Sequence, residues 1–256
     1  LISEGLRALP IGIPKLMVST VASGNTQPYV DCSDITMMYS VVDIAGINSV
    51  SERILSNAAA AISGMATQPL KKSHARRTLG MTMFGVTTPC VTKLRKDLEA
   101  QDFECLVFHA TGTGGRAMEK LVSSGLIQGV IDVTTTEVAD EIAGGIMPAG
   151  PSRFEPILAA GIPYVLSLGA VDMVNFGSMD TVPEHYRKRQ LYAHNDHITL
   201  MRTTLEENLG IARWIAGKLR LTDTPITLVL PEGGVSALDA PNAQFFAPDI
   251  TLALFE

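Results

Sequence analysis

The chain has 256 residues, 46% of them hydrophobic and 18% charged, enough for one large or two small domains with cores of their own. Its 26 acidic against 20 basic residues give a net charge of −6, which excludes a nucleic-acid surface built on a concentrated basic field. The apolar content excludes a disordered chain, and no run of about 18 apolar residues is present to span a membrane as a helix.

In chain order, the opening residues LISEGLRALPIG read as half a helix, and Glu4, Arg7 and Pro10 interrupt the apolar run that a signal peptide needs. The chain opens without an initiator Met, which reads as part of a longer protein whose partner elements lie upstream. Strands are expected at 15–20 (KLMVST) and 36–43 (TMMYSVVD), then a helix over 47–65 with Val50, Ile54, Ala58, Ala61 and Ile62 at helical spacing. Residues 66–78, polar and basic, read as a solvated loop between halves of one domain. Further strands are expected at 80–86, 104–110, 129–134, 163–168 and 226–231, with helices over 89–100 and 115–124 and a long one from about Asp196 to Leu219. The strand segments are near-continuous apolar runs, as parallel strands covered on both faces should be. The expected fold is therefore a single α/β domain over 1–256, a Rossmann-like doubly wound, mostly parallel sheet with helices on both faces. Cys32, Cys90 and Cys105 are odd in number and show no close pairing, which suits a reducing cytoplasm rather than a disulfide framework.

In such a sheet ligands bind beyond the carboxyl ends of the strands. Those ends lead into loops of small and hydroxyl residues: Ser19, Thr20, Ser23 and Gly24; Thr87 and Thr88; Thr111 through Arg116; Thr134, Thr135, Thr136 and Glu137; and Glu232-Gly-Gly234. Backbone N–H groups and helix starts in such loops favour an anion. The string Gly112-Thr113-Gly114-Gly115-Arg116-Ala117 fits G-x-G-x-x-G/A between a strand and a helix, with Asp132 placed 20 residues after Gly112. Asp132 falls inside its strand rather than at the end, which resists the dinucleotide reading. The bland alternative is a glycine-rich turn with no ligand.

Thr88-Pro89-Cys90 puts a thiol near a helix start, either as a nucleophile or as a small packed residue. His185, His194 and His197 invite a metal, although Asn195 or Asp196 as a helix cap explains the same residues. His109, Asp43 and Asp172 lie at strand ends, where each serves as a ligand contact or a turn cap. Few charges, 11 methionines and the apolar stretch 146–176 suit a dimer interface or, equally, a core.

Several long strings together resemble one family. They are LPIGIPKLMVSTVASG, VVDIAGIN, MTMFGVTTPCV, LVFHATGTGGRAMEKLV, GVIDVTTTEVADEIAGG, GAVDMVNFG, HNDHITLMRTTLEENLGIARWIA and LPEGGVSALDAPN. The chain resembles the tomato mosaic virus resistance protein family from residue 1 to about 250. That resemblance implies an ATP-binding module of two Rossmann-like subdomains, dimeric, whose plant member binds a helicase-type viral replication protein and blocks replication. It implies that this chain is the second, nucleotide-carrying subdomain, with the first missing upstream. The family's strings match Ser19 to Gly24, Thr111 to Arg116 and Thr134 to Glu137; Val30-Asp31-Cys32 departs from them where relatives carry glycine.

The expectation is then a mononucleotide site: triphosphate oxygens on the N–H groups of Gly112–Gly115 and on Thr87, Thr88 and Thr135, charge neutralised by Arg116, and Mg²⁺ bridged to Glu137 or water. A Walker lysine string is absent, so ATP is expected to bind without fast turnover. Two alternatives stand beside it: an NAD-dependent oxidoreductase resting on Asp132, and an ATP-using enzyme of small metabolites employing His109, Cys90, Asp172 or Glu137.

Overall fold

The computed structural model describes residues 1–69 and 76–256. These divide into two compact units, Leu1–Ala75 and Arg76–Glu256. Of the expected basic loop over 66–78, residues 70–75 lie outside the described residues, its first two positions end a helix and its last two open a strand.

In the first unit α1 (Ile2–Ala8) precedes β1 (Leu16–Ser19), and α2 (Gln27–Val30) precedes β2 (Thr36–Tyr39). β1 and β2 pair in parallel, Leu16 opposite Thr36, as a sheet of two strands. One sheet through all the expected strands is therefore corrected: these two do not join the main sheet. α3 (Ser49–Thr67) starts at a capping box, with the Asn48 carboxamide accepting the Val50 and Ser51 N–H groups while Ser51 accepts that of Asn48. Lys15 is buried and donates to the carbonyls of Pro10 and Ile13 and to Asp34. Asp31 has φ +46°, a conformation that favours glycine.

The second unit carries a five-stranded, all-parallel sheet in the order β10-β6-β5-β3-β4. Its strands are β3 (Arg77–Met83), β4 (Phe103–His109), β5 (Gly129–Thr134), β6 (Tyr164–Gly169) and β10 (Ile226–Val229). Numbered within the unit this is 2-1-3-4-5, a doubly wound order whose switch point falls between β3 and β5. The Rossmann-like expectation thus holds for this unit.

Helices α4 (Thr88–Glu99) and α5 (Thr113–Ser123) cover opposite faces. Val91, Leu94 and Leu98 of α4 pack with Met81 and Val133, whereas Met118 and Val122 of α5 join the larger core around Val130 and Leu166. α5 reaches the sheet at Gly80, where an added Cβ would meet the Met118 Cγ at 2.9 Å. α6 (Thr136–Ala143), α7 (Glu155–Ala160) and α8 (Leu205–Leu219) complete that core with Val138, Ile157 and Ile211, and α9 (Pro248–Phe255) adds Leu254.

Residues 173–202 form what the sequence reading missed, an antiparallel sheet of β7 (Met173–Phe176), β9 (Ile198–Arg202) and β8 (Leu191–Asn195). The helix expected from Asp196 begins instead at Leu205, behind a Thr204–Glu207 capping box. Asn195 closes the β8–β9 turn, its side chain accepting the N–H groups of His197 and Ile198. The stretch 146–176, offered as a dimer surface, is largely interior: Phe154, Ile157, Tyr164, Leu166, Met173 and Phe176 are all buried.

Candidate functional site

Two features stand out in the second unit, the first of them at the carboxyl end of the five-stranded sheet. The first is a cavity of about 260 Å³ lined by Val86, Thr87, Pro89, Cys90, Val133, Ser167, Gly169, Pro231 and residues 234–237. It therefore lies over β3, β5 and β6, on the switch point, with the start of α4 as one wall. Thr87 ends a one-turn 3₁₀ segment; its Oγ1 lies 2.7 Å from that of Thr134 and 3.0 Å from the Phe84 N–H. Two neighbouring strand ends are thereby tied together beneath the cavity. No side chain caps α4, and Pro89 in its first turn is preset for helical backbone. The cavity roof is the loop after β10, bonded to the strand ends through Ala170 N–H to Val235 O (2.7 Å) and Ala237 N–H to Val86 O (3.0 Å).

Ser236 in that roof donates to Asp172 Oδ2 at 2.7 Å. Asp172 is fully buried, and its Oδ1 has no hydrogen-bond partner. Burial pushes its carboxyl up to about 7, and nearby Asp239 adds to the rise, against the Ser236 bond and the Arg202 charge.

The second feature is a buried ion cluster. Arg153 is fully enclosed and reaches three acids from three nitrogens: Nη1 to Glu119 (2.8 Å), Nη2 to Asp132 (2.8 Å) and Nε to Glu137 (3.0 Å). Tyr164 donates its hydroxyl to Asp132 at 3.1 Å, and Thr82 donates to the same carboxylate. Burial raises the Glu119 carboxyl above its ordinary range, opposed by the Arg153 charge.

Glu137 also accepts the N–H groups of Gly112 (2.7 Å) and Gly115 (3.2 Å) through Oε1. Two donors of the expected triphosphate cradle thus already hold a carboxylate of the protein. Three glycines of that string have packing reasons. Gly112 has φ +83° and sits under Pro148 O, a Cβ on Gly114 would fall 1.8 Å from His109 O, and one on Gly115 would fall 2.3 Å from Glu137 Oε2. Thr113 opens α5, Thr111 donates to its neighbour His109 O at 3.3 Å, and Arg116 Nε donates to Gly112 O at 3.2 Å.

Several expectations change. Glu137 is buried against Arg153 and presents no open oxygen to a bridging Mg²⁺. Asp132 is enclosed and fully engaged, so it is no ribose ligand, and the oxidoreductase alternative loses its anchor. Thr135 and Thr136 are buried, Thr135 N–H donating to Gly169 O (2.9 Å) and Thr136 Oγ1 accepting from Asn175 (3.2 Å). Thr88 donates to Phe84 O at 3.1 Å beside the cavity.

In the first unit Ser19 caps a 3₁₀ turn by accepting the Val21 N–H, Ser23 donates to Thr20 O, and Gly24 N–H closes on Val21 O. The His185 ring lies against that of Tyr186, centroids 4.0 Å apart and tilted by 47°, and among the described residues no group of three His, Cys, Asp or Glu is placed to hold a metal ion. Among the described residues no helix is long and apolar enough to cross a membrane. Of the enzyme candidates, Cys90 lines the cavity and is exposed, Asp172 touches its wall through Ser236, and His109 packs against Phe84 at 5.3 Å.

Arg153, Glu119, Ser167 and Ser236 escaped the sequence reading. Arg153 stands in the Gly/Pro loop PAGPSR, where no periodicity marks a residue as interior. Glu119 could have been found, since it follows Met118 and precedes Val122 on the apolar side of α5.

Comparison with known proteins places both units. Residues 76–256 match the model of the C-terminal domain of the uncharacterised protein family UPF0261, and residues 1–71 match that of its N-terminal domain. A UPF0261 protein of Rhizobium meliloti is 57% identical over 256 residues, all of this chain and 64% of the relative. The ToMV resistance protein Tm-1(GCR237) of Solanum lycopersicum is 52% identical over 260 residues, covering 99% of this chain and 34% of that protein. The ToMV susceptible protein tm-1(GCR26) of the same plant is equally similar, at 52%. The chain thus spans under two thirds of the length of these relatives, and belongs to the UPF0261 family.

Proposed function

We propose that residues 76–256 form a nucleotide-binding module, with ATP as its ligand, and that occupancy of the module governs its contacts with protein partners. The observation that carries this reading is the cavity on the switch point between β3 and β5, walled by the uncapped start of α4. That is where doubly wound sheets hold their ligands, and an open helix start favours a phosphate nearby. Glu137 on the Gly112 and Gly115 N–H groups favours the loops at 84–90 and 230–237 over the glycine string as the place of contact.

A relative named for ToMV resistance is compatible with a partner of viral origin, and the partner we propose is a replication protein of helicase type. Two copies would pair along the outer edge of β10, whose Leu228 and Val229 are exposed and uncharged. Isothermal titration of the 256-residue chain with ATP, with and without Mg²⁺, and with NAD under the same conditions tests the reading. Saturable binding of ATP in preference to NAD is expected; no heat from ATP, or tighter NAD binding, overturns it.

A further inference from the structure

We infer that the cavity above β3 and β5 receives the uncharged ring of the nucleotide, and that the phosphates lie outside it along α4, on Thr92, Lys93 and Lys96. The inference rests on the nucleotide reading and divides the ligand between two adjoining depressions.

Size is the first ground. At about 260 Å³ the cavity is smaller than the roughly 300–1,000 Å³ that enclose a drug-sized ligand, so it holds one part of a nucleotide and leaves the rest outside. Chemistry is the second. None of its lining residues carries a charge, and Val86, Val133, Pro231 and Val235 make its walls apolar. A phosphate placed there would be a buried charge with no counter-ion, whereas a planar base loses only water. Of the polar groups, the Thr87 and Ser236 hydroxyls are already committed to Thr134 and Asp172. Pro89 has no N–H, so the helix start offers one donor fewer on this side.

Continuity is the third ground. A shallow depression of about 390 Å³ shares Pro89 with the cavity and is lined by Thr88, Thr92, Lys93, Lys96 and Asp97. Lys93 pairs with Asp97 at 2.8 Å across one exposed turn, a contact that yields readily to a stronger anion. A ligand lying over Pro89 would therefore meet an apolar slot on one side and two ammonium groups on the other.

The test is calorimetric competition on the 256-residue chain with adenosine, AMP, ATP and inorganic tripolyphosphate. Adenosine is expected to bind and to compete with ATP, and tripolyphosphate to leave adenosine in place. The Lys93→Gln/Lys96→Gln double variant should weaken ATP roughly tenfold or more and leave adenosine unchanged. Ala237 is exposed at the cavity rim, so Ala237→Phe should keep the fold by circular dichroism and abolish both adenosine and ATP binding. ATP that is displaced by tripolyphosphate, with no binding of adenosine, overturns the division of the ligand and leaves the nucleotide reading intact. ATP binding that survives Ala237→Phe does the same. Silence from ATP and adenosine alike overturns both.

Discussion

Arg153 is the residue on which the interior of the second unit depends, because its three nitrogens each answer a different buried acid. A lysine offers one compact charge in place of that planar fork, so Arg153→Lys leaves at least one carboxylate without a cation in a dry interior. Breaking a buried pair in this way costs about 3–5 kcal/mol; urea unfolding should show a loss of that order, and a change within error would mean that water already reaches the cluster. Asp172 supplies a prediction of pH dependence. Its carboxyl, raised from 3.8 to about 7 by burial, keeps a proton in the folded protein that the unfolded chain has released from about pH 4 upward. Its contribution to stability is full at low pH and is lost as pH rises through about 7. Asn cannot ionise, so the urea midpoint of Asp172→Asn should rise relative to the wild type between about pH 5 and pH 8, any constant cost of the substitution cancelling in the difference. An unchanged or falling difference would show that Asp172 ionises freely in place. Part of this was legible in sequence: Asp132 stood out as an acid inside an apolar strand, and Glu137 as the acid that closes the Thr134–Thr136 loop. Their shared partner was not, because Arg153 meets them only through the packing of α5, β5, α6 and the loop before α7.

Among the elements, the parallel strands were legible and the antiparallel ones were not. A strand covered on both faces must be apolar throughout, so runs such as those of β5 and β6 announce themselves. β8 and β9 mix polar and apolar residues, and their Asn-Asp turn reads equally well as a helix cap until the pairing is known. The glycine string shows the same limit. Its spacing fits a phosphate loop, yet the contacts explain each glycine by close packing: α5 can lie against the end of β4 only because Gly114 has no side chain over His109 O. Gly114→Ala should therefore destabilise the chain by more than the roughly 1–3 kcal/mol of ordinary overpacking, since the obstructing atom is backbone. Gly125 is the internal control. It has φ +72° and open space around its Cβ direction, so alanine there meets only the backbone cost of about 1–2 kcal/mol. Thermal unfolding of the two variants side by side checks the order, and equal losses would refute the packing account.

At the scale of the whole chain, the two units differ in what they can bury. Arg76–Glu256 contains the five-stranded sheet, the antiparallel sheet and three hydrophobic clusters built from its own elements. Among its described residues the first unit has only Lys15, Ile35, Ser40, Ser51 and Ala58 buried, and leaves Leu1, Ile2, Val41, Ile44 and Ile47 exposed. Burial of apolar area is the main force that offsets chain entropy, and a segment of this size is marginal even when its core is complete. A polypeptide of residues 76–256 should accordingly be soluble, show near-ultraviolet dichroism from its buried aromatic residues, and unfold in one cooperative urea transition. Residues 1–69 alone should show neither dispersion in an amide proton spectrum nor a cooperative transition. The cavity and the α4 depression lie wholly within 76–256, so the same fragment should keep the adenosine and ATP binding of the 256-residue chain. A folded fragment that has lost ATP while the full chain retains it would move the nucleotide contacts towards Ser19, Thr20, Ser23 and Gly24. A fragment without a cooperative transition would show that the larger sheet needs residues 1–75 to close its core.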